Sequence, residues 1–135
     1  MKRLKYFLLI MGIVTFSNSY AQEPVKSVVI GAQEWMVENL NVDKFRNGDP
    51  IPEAKSNEEW IKANQEKQPA WCYYENAPMY GQKYGKLYNW YAVNDSRGLA
   101  PTGWHVATDV DWTILTTYLG GLNIAGGKMK EIGIQ

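Results

Sequence analysis

The chain has 135 residues, 45% of them hydrophobic, with six tryptophans, nine tyrosines and equal numbers of basic and acidic side chains, 14 of each. That length supports one domain with a modest core and excludes two. The balanced charge leaves no basic stripe to follow a nucleic acid, and a single cysteine, Cys72, excludes an internal disulfide framework.

Lys2, Arg3 and Lys5 precede an apolar run from Tyr6 to Phe16, and Ser19-Tyr20-Ala21 then places small residues at the two positions that direct cleavage. This is the order of a secretory signal peptide over residues 1–21, with the mature chain starting at Gln22. The apolar run is too short for a comfortable membrane span, and no cysteine follows it to carry a lipid anchor. No stable membrane span is therefore expected after cleavage. Removing Lys2, Arg3 and Lys5 from 14 basic side chains leaves 11 against 14 acidic ones, a net charge of minus three.

Val25 to Ile30 is alternating and β-branched, which predicts a strand, and Gly31-Ala32 turns it toward a hairpin partner over Gln33 to Val37. Periodicity then lapses. Asn47-Gly48-Asp49-Pro50 and Pro52 mark an exposed loop with a tight turn. Ser56 and Glu59 have the spacing of a capping box and open a short helix through about Gln65, with Trp60, Ile61 and Asn64 a turn apart. Ala70 to Tyr74 reads as a buried strand, in which Cys72 is a small apolar residue beside Trp71, Tyr73 and Tyr74. After a turn-rich segment containing Asn76, Pro78, Gly81 and Gly85, Leu87 to Val93 fits either a strand or a turn or two of helix, and we favour a short helix entered from an extended segment.

The clearest stretch is Gly98 to Gly121. Pro101 and Gly103 set a turn, Trp104 to Val106 reads as a brief strand, and Thr108 caps a helix whose third position, Asp111, can reach back to the cap. Trp112, Leu115 and Leu119 recur at i, i+3 and i+7, so one face of this helix is apolar, and Gly120-Gly121 ends it.

The segments WMVENLNV, WCYYEN, YGKLYNWYAVND, LAPTGWHVATDVDW and GGKMKE, in this order and spacing, resemble the Fibrobacter succinogenes major paralogous domain. That is a group of exported bacterial domains, seen especially in Bacteroidetes and Fibrobacter relatives. The resemblance spans nearly all of residues 22–135. It implies an α+β fold with a C-type lectin-like arrangement of short antiparallel strands, two short helices and long loops. It also implies that the chain carries the front part of the domain and is incomplete, because the family pattern continues beyond GGKMKE. Many relatives carry Cys at Ala100 and Pro at Ala107, so the resemblance offers no disulfide from that turn. Likeness of fold transfers no activity.

Chemically suggestive residues are few. His105 is the only histidine and has no nucleophile in a recognisable motif, so a structural hydrogen bond is its expected role. Asp109 and Asp111 occupy helix N-terminal positions, where carboxylates complement the backbone dipole. No EF-hand spacing, zinc pattern, Walker loop or nucleophile elbow is present, and no cofactor or metal is expected. The aromatic surplus is what reaches toward function, since Trp and Tyr rings stack on sugars and are enriched at interfaces. Trp35, Trp71, Trp90, Trp104 and Trp112 lie in apolar-patterned segments and are expected to pack. Trp60, Tyr80 and Tyr84, in or near loops, are the candidates for contact with a ligand or partner. The sequence favours an exported, non-catalytic module whose partner is extracellular polysaccharide or a cell-envelope protein. The alternatives are a truncated extracellular enzyme, either a carbohydrate hydrolase or an oxidase like the sulfatase-modifying factors, and a fragment without independent function.

Overall fold

Trp71 belongs to the main packing cluster of the chain. A computed structural model describes residues 25–130; the expected leader and its cleavage site after Ala21 lie outside the described residues. Two small antiparallel sheets and five helices form an α+β fold. The first sheet is a hairpin of β1 (Ser27–Ile30) and β2 (Gln33–Met36), in which Val28 faces Trp35 and Ile30 faces Gln33. The second pairs β3 (Trp71–Cys72) with β4 (Leu87–Tyr88), placing Trp71 opposite Tyr88.

The helices are α1 (Asn57–Gln65), α2 (Gly81–Tyr84), α3 (Trp90–Val93), α4 (Asp109–Tyr118) and α5 (Leu122–Met129). Local chemistry accounts for several of their ends. Ser56 caps α1 by accepting the Glu59 amide, while the Glu59 carboxylate takes the Lys55 amide. Thr108 and Asp111 close a full capping box on α4. Asn89 caps α3 and is buried, yet every polar atom of its side chain is used. Its Oδ1 accepts the amides of Ala70 and Ala92, and its Nδ2 donates to the Gln68 carbonyl.

The main core gathers Phe45, Ile51, Trp71, Ala92 and Leu99, with Leu40, Val42, Tyr73, Tyr88 and Val93 packed around them. The Trp71 indole N–H donates to the Ile51 carbonyl at 2.8 Å, and the Tyr88 hydroxyl both donates to the Val42 carbonyl and accepts its amide, each at 2.7 Å. Burial pushes the Tyr88 phenol far up from its ordinary value. A smaller cluster of Ala54, Ala70 and Cys72 lies under Trp60 and Ala63 of α1. Burial raises the Cys72 thiol as well.

The structure departs from the sequence reading at definite places. Trp104 to Val106 is not a strand: Arg46 takes the Trp104 carbonyl, His105 turns to Asp111, and no described segment lies alongside to form a ladder. The buried strand shortens to two residues, because Tyr74–Asn76 and Pro78–Tyr80 wind into 3-10 turns with Glu75 and Asn76 both left-handed. Among the described residues there are five helices, two more than the three read along the chain at 57–65, within 87–93 and after Thr108. One of the extra ones, α5, contains Gly126 and Gly127, and it forms where Ala125 is buried. Trp90 was expected to pack and is 65% exposed, because the single turn of α3 directs Ala92 into the core instead. No helix among the described residues is long and apolar enough to cross a membrane.

Candidate functional site

A concavity of about 660 Å³ lies between the β1–β2 hairpin, the segment 103–107 and the start of α4. Strand alternation builds one wall. Gln33 and Trp35, two residues apart on β2, share a face, and both reach α4. The Trp35 and Trp112 rings meet at 4.9 Å with a 43° tilt, and the Gln33 Nε2 donates to the Asp111 carbonyl at 3.2 Å. The hairpin turn needs Gly31, whose φ is +64° and whose Cα is so close to Tyr118 that an added Cβ would lie 2.9 Å from the ring. Trp104 and His105 complete the opposite side.

His105 and Asp111 stand at the mouth. The imidazole Nε2 lies 2.9 Å from the Asp111 carboxylate, an arrangement that invites a catalytic reading. The same oxygen of Asp111 also accepts the Thr108 hydroxyl at 2.6 Å and the Thr108 amide at 2.8 Å. Those Thr108 bonds, more than His105, hold the Asp111 carboxyl at about 2 against an ordinary 3.8. The pair is a helix cap with an imidazole added. Two further carboxylates border the cleft, and each is engaged: Glu34 accepts the Ser27 hydroxyl at 2.5 Å, and Glu38 pairs with Lys26 at 2.6 Å. Among the described residues, no Ser, Thr, Cys, Lys or Tyr lines the cleft. No cluster of three or more His, Cys, Asp or Glu side chains able to hold a metal occurs among the described residues.

Two atoms of the wall stand out. The Trp35 Nε1 and the Gln33 Oε1 are buried and have no hydrogen-bond partner among the described residues. The orientation of the Gln33 amide is fixed by chemistry, since a carbonyl can receive only its NH₂ end, and that leaves the oxygen as the orphan.

Of the residues expected to contact a ligand, Tyr80 and Tyr84 come together with Tyr74, the three ring centroids lying 5.5, 5.6 and 5.9 Å apart. This tyrosine cluster lies in the 74–84 segment, outside the cleft. Trp60 is apart from both and half-buried on the Cys72 cluster. Trp35, Trp104, His105 and Trp112, expected to be structural, also line the cleft, and Trp112 is 47% exposed. Trp71 alone of the expected packing tryptophans is buried at the centre of the core.

The sequence matches the Fibrobacter succinogenes major domain over residues 28–134. The chain belongs to this family. The match takes in the hairpin except Ser27, both packing clusters, the cleft and the tyrosine cluster. No curated protein and no solved structure matches the chain. Likeness is therefore established at the level of the family.

Proposed function

We propose that this protein is an exported, non-catalytic binding module and that the cleft between the hairpin and α4 takes its ligand, a polysaccharide or a protein of the cell envelope. The carrying observation is the Trp35–Trp112 pair, an aromatic wall in this cleft with one ring half-exposed. The large apolar area and polar tip of an indole suit it to contact either kind of partner. A binding role also accords with the occupied carboxylates, because Glu34, Glu38 and Asp111 each already serve a neighbour. Export rests on the basic start, apolar run and small-residue site of residues 1–21. Intact-mass measurement of secreted material tests that directly, with a chain starting at Gln22 as the expected result.

The cleft is tested by replacing its exposed ring. Wild-type protein and Trp112→Ala are applied in parallel to a glycan array and to immobilised envelope-protein fractions, with circular dichroism confirming that both are folded. Binding by the wild type and its loss in Trp112→Ala is the expected result. Equal binding by the two proteins would remove the cleft from the reading.

A further inference from the structure

Resting on that reading, we infer that the cleft recognises a hydroxyl-bearing ligand, a neutral sugar chain, by seating one hydroxyl between the Trp35 Nε1 and the Gln33 Oε1. An orphaned donor and an orphaned acceptor lie two residues apart on the same face of β2, in the wall of one cleft. Leaving a buried polar atom without a partner is unfavourable, so native proteins rarely do so without a reason. Here the two orphans are opposite in kind. A single hydroxyl answers both, because it accepts a hydrogen bond and donates one. A carboxylate or a phosphodiester can only accept and would leave the Gln33 oxygen orphaned. An ammonium can only donate and would leave the indole N–H orphaned. An alkyl group satisfies neither.

The surroundings favour a sugar over other alcohols. Trp35 and Trp112 offer indole faces for the C–H face of a pyranose, with the hydrogen-bonding pair beside them. The ionisable side chains at the rim are already engaged, Glu38 by Lys26 and Asp111 by Thr108 and His105, so the wall does not demand a charged ligand. Both orphan atoms are shut off from solvent by the wall itself. A hydroxyl therefore reaches them only as the wall around Trp35, which includes the Trp112 ring 4.9 Å away, opens. Binding should thus be visible in the tryptophan emission.

The test titrates the full chain with cellohexaose, xylohexaose, mannohexaose and laminarihexaose, following tryptophan emission, with the apolar dye ANS and a lysine-rich peptide as contrasting probes. Saturable binding of at least one oligosaccharide is expected, weakened about tenfold or more by Trp35→Phe and by Gln33→Met, each of which removes one half of the hydrogen-bonding pair. The per-O-methylated form of the same oligosaccharide, which cannot donate, should fail to bind the unaltered protein; this arm does not depend on any variant folding. Wild-type affinity in both variants, or undiminished binding of the methylated sugar, overturns the proposal. A crystal structure with only a water between the two atoms and the sugar bound elsewhere overturns it too. Binding of ANS or the peptide alone overturns the sugar assignment while leaving a binding cleft in place. Silence from every probe removes the cleft reading as well.

Discussion

Trp71 and Trp35 both sit on short antiparallel strands, and they have opposite fates. The Trp71 ring is 6% exposed, its N–H is held by the Ile51 carbonyl, and core side chains pack around it. The Trp35 ring faces a cleft, and its N–H is buried with no partner among the described residues. A tryptophan placed for stability has its polar tip satisfied from within the chain. One whose tip is left over marks the part of the molecule that is not organised for stability alone.

The sharpest break of this contrast is truncation of each ring. Trp71→Ala removes the centre of the main core and should cost ~3–5 kcal/mol in urea unfolding, a large part of the stability of a small domain. Trp35→Ala should cost clearly less. Equal losses would show the hairpin to be as much a part of the cooperative core as Trp71.

Asn89→Ala comes next. It strands the Ala70 amide and the Gln68 carbonyl in the interior and takes the side-chain cap from the Ala92 amide, which keeps the Asn89 backbone carbonyl, for a loss of about 3 kcal/mol. A loss within a few tenths of zero would mean that β4 and α3 can close without this cap.

A finer comparison keeps the apolar rings and removes only the N–H groups. Trp71→Phe orphans the Ile51 carbonyl, whereas Trp35→Phe deletes a donor that has no partner, so the first should exceed the second by roughly 1–3 kcal/mol. Parallel thermal melts of the two variants decide it.

The smallest effect is acidic. Asp111 is held at about 2 chiefly by Thr108, and Asp95 at about 2 chiefly by the Arg97 side chain, both below the ordinary 3.8. A carboxyl whose value is lowered by folding contributes stability above its unfolded value and loses it as pH falls through the folded one. Stability should therefore decline between about pH 4 and about pH 2, on both sides of the comparison, since Asp95 belongs to the loop beside the core and Asp111 to the cleft. Carboxyl NMR titration should place both groups near the lower limit.

The features legible in the sequence were those whose cause is local. The Thr108–Asp111 box, the Ser56 cap, the hairpin turn at Gly31-Ala32 and the passage from strand to helix around Asn89 all depend on residues a few positions apart. The cleft was not legible, because its defining contact joins Gln33 to Asp111 across 78 positions. Pattern alone likewise could not separate Trp71 from Trp90. Which indole enters the core is set by the pairing of β3 with β4, and α3 then has room only for Ala92. For α5, Gly126 and Gly127 hid a helix whose burial at Ala125 outweighs their poor propensity. A usable signal for the site was present in Trp35 and Trp112, two tryptophans in amphipathic segments, but the same pattern fits plain packing.

Cys72 gives the molecule a clock. It is the sole thiol of the chain and lies buried beneath α1, in the small cluster with Ala54 and Ala70. A thiol reagent can reach it only while that cluster is open, so the labelling rate measures how often α1 lifts from β3. Compared with the rate of global unfolding under the same conditions, it shows whether α1 opens alone or only together with the Trp71 core.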